Sequence, residues 1–173
     1  GAFVGFLDDD DLLLGDHVAK LIAVLDQGVV SIAYSGVRMD KGGGEFQIID
    51  EPWSRQHLLG GNFIPIHAVI FSRSLIDAGC RFDTALNCLE DWDFWLQASQ
   101  HADFTHVPGV SAIYRYHLGQ SGLSAFFSAQ DHLANRERLY AKWRPRFSDR
   151  EWGEAFFWFL QERRYAIDHL GHV

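Results

Sequence analysis

The stretch Ala2-Phe3-Val4-Gly5-Phe6-Leu7-Asp8-Asp9-Asp10-Asp11 decides the reading of this chain. An apolar run of strand length ends abruptly in four consecutive aspartates. A buried strand ending this way sets fixed negative charge at the carboxyl edge of a sheet, the edge where open α/β sheets bind ligands. Residues 2–7 are therefore expected as a central, buried strand with Asp8 to Asp11 at its carboxyl edge. Four like charges there repel one another unless a cation lies between them. A hard divalent cation takes oxygen ligands and usually bridges one or two carboxylates to a substrate's phosphates. The run thus points to a metal and to a phosphate ester or nucleotide. Asp also favours turns and helix N-caps, and Asp16, opening the next helical pattern, accounts for part of the acidity. An EF-hand fits poorly, because its loop wants Gly at the sixth and Glu at the twelfth position. Counting from Asp8, those places hold Leu13 and Ala19.

Outward from this stretch, strands and helices alternate. Val18, Leu21, Ile22 and Leu25 recur at helical spacing over residues 16–27, and Gly28 closes that helix. Residues 29–39 read as a strand, with 45–50 as its hairpin partner across Lys41-Gly42-Gly43-Gly44. A short helix at 54–59, a strand at 67–72, a short helix at 73–78, a helix at 90–101 and strands at 104–107 and 110–117 follow. This alternation implies a layered α/β domain over residues 1–122. Residues 123–173 read differently, as a helical extension packed on it. Ala129, Leu133, Tyr140 and Trp143 fall on one stripe of a helix at 124–143 that Pro145 stops. Ser148-x-x-Glu151 is a capping box opening a second helix, 149–170. Trp152 to Leu160 make that helix apolar nearly all round, so it is buried within its own domain or against a partner.

Composition narrows the function. The chain has 173 residues, enough for one domain with a sizeable core. A net charge of −8 and a pI near 5.5 argue against nucleic acid or an anionic membrane surface as partner. No stretch approaches the ~20 apolar residues of a membrane span, and residues 1–7 lack the length and basic start of a signal peptide. Cys80 and Cys88 are too few for a zinc site. Two cysteines in a chain of this size suit a cytoplasmic protein with incidental thiols.

A second acidic segment, Leu89-Glu90-Asp91-Trp92-Asp93-Phe94-Trp95-Leu96, opens the helix at 90–101. Its acids suit the helix dipole, and Trp92, Trp95 and Leu96 share a face that suits a core. Taken with Phe6-Leu7-Asp8-Asp9-Asp10-Asp11 before it and Tyr114-Arg115-Tyr116-His117 after it, the chain resembles family 2 glycosyltransferases of the GT-A fold. The links Phe71-Ser72-Arg73-Ser74 and Gly79-Cys80-Arg81-Phe82-Asp83 resemble the family as well, so the likeness runs over roughly residues 2 to 122.

The resemblance implies a GT-A-like mixed sheet flanked by helices and an inverting transfer of sugar from a nucleotide-diphosphate sugar to a saccharide or other hydroxyl acceptor. Asp8 and Asp10 match the Asp-x-Asp pair that holds Mg²⁺ or Mn²⁺ on the diphosphate, and Asp11 matches a frequent third acid. Asp91 matches the catalytic base, with Glu90 beside it. Arg115 and His117 match a segment near the metal and diphosphate, His117 as a metal contact. Trp92 or Trp95 would be a sugar-stacking ring if it left the core. Asp8 or Asp10 and Asp91 are then expected to face one another across one cleft. Family members carry further βαβ units before the Asp-x-Asp strand, whereas here it stands at residue 8. The chain is therefore expected to lack the N-terminal nucleotide-binding units, to be at most weakly active alone, and to self-associate through an exposed sheet edge or helix 149–170. Two other readings stay open. One is a non-catalytic, self-associating half-domain. The other is a haloacid-dehalogenase-type phosphatase with Asp8 as nucleophile, which needs a downstream lysine from Lys20, Lys41 and Lys142.

Overall fold

Ile32-Ala33-Tyr34-Ser35-Gly36-Val37, six residues in a row, are buried, and they make the centre of the sheet. In the computed structural model, which describes residues 1–116 and 127–170, they open strand β3, Ile32–Gly42. One edge of β3 is shared by two antiparallel partners. β5, Val69–Ser72, pairs with its first residues, and the hairpin strand β4, Glu45–Ile49, with its last. Along the other edge runs β6, Thr105–Arg115, parallel to β3. β1, Phe3–Gly5, adds antiparallel to β5, and β2, Leu12–Leu13, antiparallel to β6, giving the order β1-β5-β3-β6-β2.

Two expectations change here. β1 is an edge strand, not a central one. Its apolar run reads as buried because Phe6, beyond the strand, packs its ring on Phe71 and Phe82 with centroids 6.1 and 5.2 Å away. The strands expected at 104–107 and 110–117 are one strand with a bulge at Pro108-Gly109. Asp50 holds the bulge: its carboxylate accepts from the Gly109 N–H at 2.9 Å and contacts His106 Nε2 at 2.7 Å. That carboxylate lies over Gly36, where a Cβ would come within 2.5 Å of it. The other elements fall near their expected places: α1 (His17–Leu25), α2 (Arg55–Gly60), α3 (Ser74–Asp77) and α4 (Glu90–Ala98). Gly28 has φ +72, as a closing glycine should. Asp16 makes no side-chain cap bond to α1, so that part of its acidity has no capping role.

The C-terminal helices α5 (Ala129–Trp143) and α6 (Asp149–Leu170) share the core of the sheet. Leu139, Trp143, Phe147 and Ala155 belong to the same buried cluster as Phe71, Trp92 and Trp95. The boundary expected at 122/123 lies outside the described residues. Ser128 and Asp131 box the start of α5, and Ser148 and Glu151 exchange the bonds expected at the start of α6. α6 packs on α2: its Trp158 ring lies against His57, whose other face stacks on Phe63. Helix α6 is not buried on all sides, because Phe156 and Phe157 are each 63 % exposed. Among the described residues, no helix is long and apolar enough to cross a membrane, and Cys80 and Cys88 are both free and buried.

One buried carboxylate locks α4 to α5. Asp93, fully buried, accepts from Trp143 Nε1 at 2.8 Å, Lys142 Nζ at 2.9 Å and Gln97 Nε2 at 2.7 Å. Removing it would strand the buried Trp143 indole N–H and would take one of two acceptors from Lys142, which keeps Asp83, and from Gln97, which keeps Arg81 O. Asp93→Ala is expected to destabilise by about 3 kcal/mol, read as a fall in the urea midpoint with the slope unchanged.

Candidate active site

The four aspartates do not share one environment. Asp8 and Asp9 are exposed, Asp10 is half-buried, and Asp11 is 4 % exposed. The turn closes with Asp11 N–H on Asp8 O at 3.2 Å. Strand β2 follows at once and ties the loop to β6, with Leu14 N–H adding a bond to Ser111 O at 2.9 Å. This tether forces Asp11 inward. Its Oδ1 accepts from the Arg115 N–H at 2.9 Å, and its Oδ2 lies 2.8 Å from His67 Nδ1. The latter contact lacks hydrogen-bond alignment. Asp11 Oδ2 and His67 Nε2 are buried with no hydrogen-bond partner among the described residues. Asp11, expected as a third metal ligand, accepts from the Arg115 N–H on Oδ1 and lies beside His67 on Oδ2. Arg115, expected to touch substrate, contributes its main-chain N–H to Asp11. All four carboxylates line the cleft, Asp11 as its buried member. Burial, then Asp11 and Asp10, push the Asp8 carboxyl above its ordinary range.

The second acidic segment starts α4 through an uncommon backbone. Leu89 has φ 66, the only positive φ outside glycine among the described residues, and such a conformation costs an L-residue ~1–2 kcal/mol. It turns Glu90 and Asp91 to the cleft. Asp91 accepts from Asn62 Nδ2 at 2.8 Å and from the Trp92 N–H at 2.7 Å. Burial, and then the neighbouring Glu90 charge, raise its carboxyl to about 6. Trp92, expected as a possible sugar-stacking ring, is fully buried and donates its Nε1–H to Leu58 O at 2.6 Å. Trp95 is likewise in the core, bonded to Ile64 O at 3.0 Å. Neither ring has a face to offer a ligand.

Asp8 to Asp11, Glu90 and Asp91 line one cleft of about 580 Å³. Its floor is the segment Asn62-Phe63-Ile64-Pro65-Ile66-His67, and Met39, Ile49, Leu89 and Tyr114 supply apolar wall. Cys88 and His132 close one side, with Sγ 3.6 Å from Nδ1. Burial, then nearby acids, raise the Cys88 thiol, so it stays neutral. Sequence reasoning missed Asn62, His67 and His132. No motif marks them, because each acquires its place from a contact far along the chain. His117 lies outside the described residues.

A hard cation fits this donor set. The exposed and half-buried groups are carboxylates whose mutual repulsion a divalent ion would relieve. Among the described residues, no three His, Cys, Asp or Glu side chains form a ready cage. A phosphatase site is disfavoured. Among the described residues no lysine lines the cleft; Lys20 Nζ donates to Pro108 O at 2.7 Å, and Lys142 serves Asp83 and Asp93.

No protein-family model matches the chain, and no curated protein matches it in sequence. Solved structures do. The crystal structure of S. aureus TarS 1-349 in complex with UDP-GlcNAc is 17 % identical with a TM-score of 0.62, and the match covers 82 % of this chain and 42 % of that one. The TarS 1-349 complex with UDP is 18 % identical with a TM-score of 0.57, covering 82 % and 40 %. A further structure of S. aureus TarS is 17 % identical with a TM-score of 0.56, covering 82 % and 25 %. The chain thus spans less than half the length of these proteins. At this identity the likeness shows the fold, a mixed sheet flanked by helices that matches part of a GT-A-like glycosyltransferase.

Proposed function

We propose that the chain carries the catalytic part of a metal-dependent, inverting glycosyltransferase, which moves a sugar from a nucleotide-diphosphate donor to an acceptor hydroxyl. The observation that carries this reading is the meeting of Asp8 and Asp10 with Asp91 in one cleft of a GT-A-like fold. The complexes of the TarS structures with UDP-GlcNAc and UDP support a nucleotide sugar as the donor class.

Asp8 and Asp10 would hold Mg²⁺ or Mn²⁺, which when bound neutralises charge on the departing diphosphate as a Lewis acid. Asp91 takes the proton of the acceptor hydroxyl, with its carboxylate held in place by Asn62 and the Trp92 N–H. As the new carbon–oxygen bond forms at the anomeric carbon, the bond to the diphosphate oxygen breaks and its electron pair leaves with the nucleotide. Attack opposite the leaving group inverts that carbon. A carboxyl raised to about 6 is a stronger base than an ordinary aspartate and is still ionised at neutral pH. The apolar wall of Met39, Ile49, Leu89 and Tyr114 limits competing attack by water.

The assay is transfer from a panel of nucleotide sugars, with Mg²⁺ or Mn²⁺ and with chelator. Asp91→Asn is expected to lower kcat by ~10²–10⁴-fold, while Tm stays level or rises because a disfavoured charge is gone. Weak or absent transfer by these 173 residues alone is the expected outcome; no transfer with any donor by a longer form that also carries nucleotide-binding units would refute the reading. The pH profile gives a separate check. The base works only when deprotonated, so kcat/KM should climb with pH up to about 6 and level off above it. Chelator, or Asp10→Ala, should abolish turnover, and added Mn²⁺ should restore only the chelated wild type.

A further inference from the structure

The acidic loop and the base are held by the two ends of one short segment. Asn62, its first residue, donates to Asp91 at 2.8 Å. His67, its last, lies 2.8 Å from Asp11. Both side chains of the His67–Asp11 pair are 1 % exposed. Between them, Ile64 O receives the Trp95 indole N–H at 3.0 Å, which fixes the middle of the segment to α4. Pro65 and the turn Ile66–Ala68 stiffen its second half before β5 begins. Asp11 in turn grips the end of β6 through the Arg115 N–H. No residue of the pair needs to touch substrate for the cleft to depend on it.

We propose that His67 is a positioning residue. Through Asp11 it fixes the direction in which Asp8 and Asp10 face the cleft, and through the segment 62–67 it sets their separation from Asp91. The inference rests on the transferase reading, since it assigns Asp8 and Asp10 to the cation. Atoms of this pair are buried without a hydrogen-bond partner among the described residues, and native cores leave polar atoms unmatched only rarely without a functional reason. Partners behind metal-holding carboxylates commonly govern affinity by 10–100-fold.

The test is titration of the protein with Mn²⁺ in the presence of UDP, followed by the electron spin resonance of free Mn²⁺, with Tm measured alongside. His67→Ala is expected to weaken Mn²⁺ binding by ~10-fold or more. His67→Asn keeps an N–H near the Nδ1 position and is expected to recover most of that loss. A merely structural role predicts otherwise: Tm would fall and Mn²⁺ affinity in the folded protein would not change. Equal affinity in the wild type and His67→Ala overturns the proposal while leaving the transferase reading intact. No Mn²⁺ binding by the wild type overturns both. If His67→Ala does not fold, His67→Asn decides alone, and weak Mn²⁺ binding by a folded His67→Asn overturns the proposal.

Discussion

Like charges crowded at one strand end must be separated or neutralised, and the cleft follows from how the chain does this. Asp11 is withdrawn into the protein, where the Arg115 N–H and His67 meet it. Asp8, Asp9 and Asp10 remain outside it. The withdrawal requires the loop to turn back onto β6, and β2 is the two-residue strand that does so. Without this tether, all four carboxylates would extend into solvent and screen one another with water. With it, their charge is confined to a cleft that Glu90 and Asp91 also line.

What was legible in the sequence was local. The Asp run, the capping box at Ser148, the glycine hairpin and the acids opening α4 are signals within a few residues of one another, and each element formed near its expected place. What was not legible was set at a distance. The apolar run 2–7 reads as a central strand because edge and centre differ only in what pairs with them, and the central partner of β5 and β6 is β3. The inward turn of Asp11 depends on His67 and Arg115, which lie far along the chain. Asn62 carries no motif and gains its role only when α4 places Asp91 against it. Trp92 belonged to a mixed pattern of acids and aromatics in which sugar contact and core packing look alike. Its indole bond to Leu58 O assigns it to the core.

The start of α4 combines two unfavourable features at one place. Leu89 holds a left-handed backbone, and Asp91 must ionise beside Glu90 in partly dry surroundings. For an acid whose folded value is raised from 3.8 to about 6, the neutral form favours folding. That contribution is fully present below about pH 4 and is lost as pH rises through about 6. By the size of the shift the loss reaches up to about 3 kcal/mol, and less for the part of the carboxyl open to the cleft. The pH at which Asp91 becomes charged is therefore the pH at which its helix start is least stable. The rest of α4 offsets this. Trp92, Phe94, Trp95 and Leu96 are all buried within one turn and a half, and Asp93 locks the same turn to Trp143 and Lys142. A carboxylate that ionises in a half-buried cleft is held by a helix anchored firmly behind it. The dense aromatic packing after Asp91 is thus better explained by support of the carboxylate than by contact with sugar.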